Sequence, residues 1–134
     1  MIQIRAIDHI VLRTTRLTEM IDFYCGVLGC TLERTLPDDV GLSQLRAGNA
    51  LIDLVNVDSK LGHAGGPAPA GTGNNMDHFC LQIAPFKRQA LLDYLSSHGI
   101  EAGSFETRYG AQGYGQSLYI QDPDGNTVEL RAQV

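Results

Sequence analysis

Four polar side chains recur at matching places in this 134-residue chain: His9 and Asp53 in its first half, His78 and Glu129 in its second. Each histidine stands early in an apolar stretch, DHIVLR at 8–13 and DHFCLQ at 77–82. Each carboxylate stands late in another, ALIDLVNV and NTVELRAQ. A carboxylate on such a strand is expected to be partly buried, which costs several kcal/mol unless the group is paired or bound to a metal. Two imidazoles and two carboxylates make an N2O2 donor set, better suited to Zn, Ni, Mn or Fe(II) than to copper(I). Such a metal would act as a Lewis acid, holding two neighbouring substrate oxygens and stabilising the enolate or oxyanion that develops on them. A carboxylate beside it could shuttle a proton. The spacing alone leaves two readings open: a hydrogen-bonded strand residue at each position, or one shared metal.

The elements that must carry these residues also recur. Residues 4–14 alternate and are rich in Ile and Val, which predicts a strand. Residues 17–28 place Leu17, Met20, Ile21, Tyr24, Val27 and Leu28 at helical spacing, with Thr15 or Thr18 as the expected cap and Gly29 as the stop. Strands are expected near 30–36, 40–46 and 49–57. The second half repeats the order: a strand at 76–84, a helix at 86–98 closed by Gly99, and strands near 100–106, 116–121 and 126–132. DPDGN, between the last two, is turn chemistry at every position. The carboxylates are spaced a little wider than the histidines, and the surplus fits the glycine-rich loop at 107–116. The pattern is βαβββ twice, an α+β class with a module at 1–58, a Gly/Pro-rich linker or flap at 59–75 and a module at 76–134, together one domain.

Other candidates face plainer alternatives. Arg13 lies four residues beyond His9 on the same strand face, where it would neutralise an anionic substrate or form a surface ion pair. Arg108, Tyr109 and Tyr114 in RYGAQGYGQ would close over a ligand or form a solvated loop. Cys80 should share a face with His78 and line the site or fill it. His63 reads as a loop residue, His98 as a helix C-terminal one, and Cys25 and Cys30 as small buried hydrophobes.

Composition narrows the class. Net charge is −5 and the pI about 5.2, with no basic block, which excludes a nucleic-acid footprint. No apolar run approaches the roughly 20 residues of a membrane span. Arg5, Asp8 and Arg13 interrupt the start of the chain, so no signal-peptide core is read there. Three cysteines, Cys25, Cys30 and Cys80, argue against a disulfide framework and fit a reducing, cytoplasmic setting. Charged residues make up only 19 %, less than the roughly 25 % that is usual, which suggests surface covered by a second copy.

The segments DHIVLR, FYCGVLGC, DHFCLQI and LYIQDPDGNTVEL span nearly the whole chain. Together they resemble the vicinal oxygen chelate superfamily of glyoxalase I, fosfomycin-resistance thiol transferases, bleomycin-resistance proteins and extradiol dioxygenases. GAQGYGQSLYIQDPDGNTVEL also resembles a subgroup of glyoxalase-like proteins, some named as virulence proteins. The resemblance implies paired βαβββ modules forming a cupped mixed sheet around one divalent metal, and a homodimer in which some members share the site between chains. It places His9, His78 and Glu129 on shared ligand positions, and Asp53 where glyoxalase I carries a glutamate that coordinates the metal and moves a proton. Glu129 and Asp53 are thus the implied catalytic carboxylates. Aspartate is one methylene shorter, so Asp53 binds directly, through water, or supports a ligand. The implied function is a metal-dependent lyase or isomerase of the glyoxalase type acting on a small substrate, with glutathione or another thiol as a candidate co-substrate. The alternatives are thiol transfer to fosfomycin, sequestration of a drug such as bleomycin, and extradiol dioxygenation. The last lacks a histidine after His98 and the usual histidine upstream of Leu118-Tyr119.

Overall fold

Alternation and helical spacing give the expected element types, and a computed structural model describes all residues, 1–134. By contacts the chain divides into two units, Met1–Thr72 and Gly73–Val134. The boundary falls inside the expected linker.

In the first unit, β1 (His9–Thr14) runs parallel to β4 (Ala50–Asn56). β4 pairs antiparallel with β3 (Leu42–Ala47), and β3 with β2 (Thr31–Thr35). The sheet order is β1-β4-β3-β2. α1 (Leu17–Ile21) fills the crossover between β1 and the rest and continues into a π-helical turn, Asp22–Val27. The expected single helix over 17–28 is therefore widened in its second half. Phe23 and Tyr24 are consecutive and both buried, with rings 5.0 Å apart edge to face. A wider turn brings such neighbours closer to one face. Neither Thr15 nor Thr18 caps α1; the Arg16 amide donates instead to Thr14 Oγ1 at 2.8 Å.

Strand β1 is shorter than the expected 4–14. Its partner β4 begins at the turn after Gly48, so nothing remains to pair with residues 4–7; Asp8 still accepts from the Leu51 amide. The expected linker also starts later than residue 59. Ser59 Oγ accepts from the Gly62 amide and caps α2 (Lys60–His63), which packs on β4.

The second unit repeats the topology as β5-β8-β7-β6. β5 (His78–Ile83) is parallel to β8 (Thr127–Ala132); β8 pairs with β7 (Gly113–Gln121), and β7 with β6 (Glu106–Gly110). α3 (Arg88–Ser97) takes the crossover position. The expected strand at 100–106 is displaced to 106–110, and the expected glycine-rich loop at 107–116 is instead the β6–β7 hairpin. Alternation in ETRYG and the positive φ of Gly113 (89°) let a two-residue connection close it.

The helix ends confirm the internal repeat. Gly29 (φ 78°) and Gly99 (φ 71°) both take the left-handed conformation that a C-terminal stop requires. The amides of Cys30 and Ile100 then return to the carbonyls of Tyr24 and Leu95. In each unit one sheet face carries the core: Leu12, Leu45, Ile52 and Leu54 with Met20 and Tyr24 in the first; Leu118, Ile120, Val128 and Leu130 in the second.

Candidate functional site

Strand register decides what shares the other face. In the first unit Val11, Asp53 and Gln44 lie in one row across β1, β4 and β3, with His9 and Arg13 one step to either side. Asp53 is only 3 % exposed, and its two carboxylate oxygens accept from Gln44 Nε2 at 3.4 and 3.3 Å. His9 Nδ1 lies 2.6 Å from Asp8 Oδ1; a carboxylate can only accept, so Nδ1 carries the proton. That hydrogen bond raises the His9 pKa above 6.5, opposed by burial and reinforced by the charge of Asp53.

The second unit builds the same pair more tightly. Cys80, Glu129 and Tyr119 form one row across β5, β8 and β7. Glu129 is 6 % exposed, and its Oε2 sits 3.2 Å from His78 Nε2. Asp77 Oδ2 holds His78 Nδ1 at 2.6 Å, as Asp8 holds His9. Tyr119 meets the His78 ring edge to face at 5.1 Å, and the Arg108 guanidinium stacks 4.2 Å from the centre of the Tyr119 ring. Cys80 faces the same side as His78, as expected. Burial first, then the charge of Glu129 and a hydrogen bond to it, push its thiol up to about 11, against a lowering by Arg131. At neutral pH it is a protonated thiol, not a nucleophile.

The structure thus sets a histidine and a buried carboxylate on one sheet face in each unit, and brings the two into contact in the second. In neither unit do three or more His, Cys, Asp or Glu side chains gather in a metal-holding group. The donor chemistry nevertheless fits a divalent metal. Each imidazole has Nδ1 tied to a carboxylate, the usual arrangement around a metal-bound histidine, and in the second unit Nε2 meets the Glu129 carboxylate at 3.2 Å.

Arg13, expected to meet a substrate or a surface acid, forms no ion pair within the chain. It donates to the carbonyls of Gly62 (3.0 Å), Pro67 (3.2 Å) and Gly66, and so straps residues 62–67 to the sheet. Tyr109 and Tyr114 are a directly opposed cross-strand pair, 74 % exposed, with rings 5.1 Å apart. They alternate onto the face opposite Glu129, so they do not line this site. Arg108 does face Glu129's side, but it is occupied: Nη1 donates to the Ser117 carbonyl (2.8 Å) and Oγ (2.9 Å), and Nη2 pairs with Glu106 at 3.2 Å. His63 is exposed, and His98 Nδ1 sits 2.9 Å from the Tyr94 carbonyl at the end of α3. Sequence reasoning missed the roles of Asp8, Asp77, Gln44 and Tyr119. The signal for the first two was the repeated Asp-His doublet.

Comparison with known proteins agrees with the repeated architecture. The family model described as the Glyoxalase/Bleomycin resistance protein/Dioxygenase superfamily matches residues 6–130. An integron cassette protein from the mobile metagenome of V. cholerae is 25 % identical with a TM-score of 0.76, over 100 % of this chain and 99 % of that one. A virulence protein from Salmonella typhimurium is 26 % identical with a TM-score of 0.75, over 99 % and 100 %. A lactoylglutathione lyase from Agrobacterium tumefaciens is 24 % identical with a TM-score of 0.67, over 95 % and 92 %, a likeness of fold.

Proposed function

The chain belongs to the glyoxalase/bleomycin resistance protein/dioxygenase superfamily, and on that premise we propose a metal-dependent, glyoxalase-like enzyme, a lyase or isomerase acting on a small substrate with two neighbouring oxygens. The observation that carries this reading is the duplicated arrangement: a histidine with Nδ1 clamped by the preceding aspartate, and a buried carboxylate on the same face of the adjacent strand, in contact with the imidazole in the second unit. Keeping both histidines and Glu129 favours this reading over a protein that only sequesters a drug.

His9 and Asp53 of the first unit and His78 and Glu129 of the second are the proposed ligands for a divalent metal, Ni, Zn, Mn or Fe(II). When bound, the metal supplies Lewis-acid stabilisation of negative charge on the chelated oxygens. The residues of the chain do the rest. Asp8 and Asp77 keep the imidazoles in the Nε2-donor tautomer. Glu129, nearly buried and within 3.2 Å of an imidazole nitrogen, is the proposed proton carrier. Asp53, held by Gln44, is the second carboxylate. Tyr119 covers one side of the His78 ring. We further propose a homodimer. All three cysteines are free, which supports a cytoplasmic location.

The test is metal content of protein purified without added metal or chelator, beside His78→Ala and Glu129→Ala. We expect a stoichiometric first-row divalent metal, lost in both variants. Wild-type protein that stays empty after exposure to Ni, Zn, Mn and Fe(II) would sink the enzyme reading and leave a binding protein as the better one.

A further inference from the structure

The first unit has a second polar recess, on the sheet face turned away from His9 and Asp53. It is a cleft of about 400 Å³, within the size range of small-molecule sites. It opens between the start of α1, the turn at 36–41 and the C-terminal end of β4. Ser43 stands beside Leu54 in the register of β3 and β4, on the core face, so it points away from its neighbour Gln44 and from Asp53. It is 3 % exposed, it lines the cleft, and its hydroxyl makes no hydrogen bond within the chain. Buried polar groups are normally paired. A buried hydroxyl that opens only onto a cleft is matched by whatever fills that cleft.

The rest of the lining says what that is. Thr35 is directly opposite Ser43 across β2 and β3, so both hydroxyls share one face. Thr15 and Thr18 add two more at the start of α1. Two carboxylates, Glu19 and Asp38, stand at the same cleft, and neither is in an ion pair. The Asn56 Oδ1 is taken by the Asp58 amide at 2.9 Å, which leaves its Nδ2 to the cleft. No Lys, Arg or His lines the cleft. A carboxylate can only accept. The lining therefore offers negative charge to a cation and hydroxyls to other hydroxyls, and it disfavours an anion. Leu36 and Leu42 supply an apolar wall for a short carbon skeleton.

We propose that this cleft binds a small hydroxylated ammonium ion of the amino-sugar or amino-alcohol class. Glu19 and Asp38 hold its ammonium; Ser43, Thr35 and the Asn56 amide meet its hydroxyls. The site lies across the sheet from the proposed metal ligands of this unit, so it does not depend on the metal reading and is tested apart from it.

The test is calorimetric titration of the purified chain at neutral pH with glucosamine. Glucose serves as the uncharged counterpart and ethylamine as an ammonium without hydroxyls. The variants are Asp38→Asn and Ser43→Ala at the cleft, and Asp53→Asn on the other face. We expect saturable binding of glucosamine, weaker by roughly tenfold in Asp38→Asn and roughly threefold in Ser43→Ala, as for loss of a charged and a neutral hydrogen bond. Asp53→Asn should leave it unchanged. Glucose and ethylamine should both bind more weakly than glucosamine. Absence of glucosamine binding overturns the proposal. So does binding that both cleft variants leave unchanged, or that only Asp53→Asn weakens, which would put the amine on the metal-ligand face. Glucose binding as tightly as glucosamine overturns the ammonium assignment, and ethylamine binding as tightly overturns the role of the hydroxyls. Ser43 loses no hydrogen bond on truncation and Asp38 is exposed, so both variants are expected to fold. Circular dichroism checks this; should one fail to fold, the other decides alone.

Discussion

His9 and His78 each owe their orientation to the residue before them, and that dependence is measurable. The Asp8 hydrogen bond raises the His9 pKa above 6.5, with Asp53 adding to it. Stability from this contact is fully present below 6.5, where His9 is charged in both folded and unfolded chains, and is lost as pH rises through the folded value. An NMR titration of the His9 ring should show a midpoint above 6.5 that moves down in Asp8→Asn; an unchanged midpoint would remove Asp8 from its role. Cys80 behaves oppositely, since burial and Glu129 hold its proton on. Alkylation of Cys80 by iodoacetamide at pH 8 should be slower than for a free thiol, and faster in Glu129→Gln.

At the scale of elements, two tight contacts set local stability. A Cβ on Gly62 would fall 2.6 Å from the Val57 backbone, which cannot step aside. Gly62→Ala should cost about 1–3 kcal/mol by urea denaturation. Arg13→Ala should cost a similar about 1.5–3 kcal/mol, the range for hydrogen bonds to a charged donor, and should open residues 62–67 to limited proteolysis. These elements also show how much the sequence disclosed. Both βαβββ orders, both glycine helix stops and the face shared by His78 and Cys80 were legible, because each follows from local periodicity or from a glycine at a helix end. The paired strands of the 107–116 hairpin were hidden behind their glycines. Two of those glycines, Gly110 and Gly115, make room for Arg131, a cause that lies in another strand. The strap made by Arg13 was equally hidden, because its partners lie some fifty residues away and are backbone carbonyls. The two His–carboxylate pairs could be named from the repeat; the aspartates and Gln44 that hold them depend on register.

For the whole molecule, the duplicated topology and the superfamily match establish an α+β fold built from one unit used twice. No helix is long and apolar enough to cross a membrane. Ile2, Ile4 and Ile7 are exposed ahead of β1, apolar surface of the kind a second copy would cover. Light scattering on the purified protein should give twice the chain mass of 14.5 kDa; a monomer at micromolar concentration would contradict the proposed dimer.

In both units the strand that bears the histidine pairs in parallel with the strand that bears the carboxylate, and everything between them must be threaded first. Parallel pairing of distant segments raises contact order and slows the closing step. Each pair is therefore among the last features of its unit to assemble during folding. A nascent chain that has emerged only to Gly125 has no Glu129 to set beside His78, so the unit acquires its buried carboxylate only once its final strand has been made.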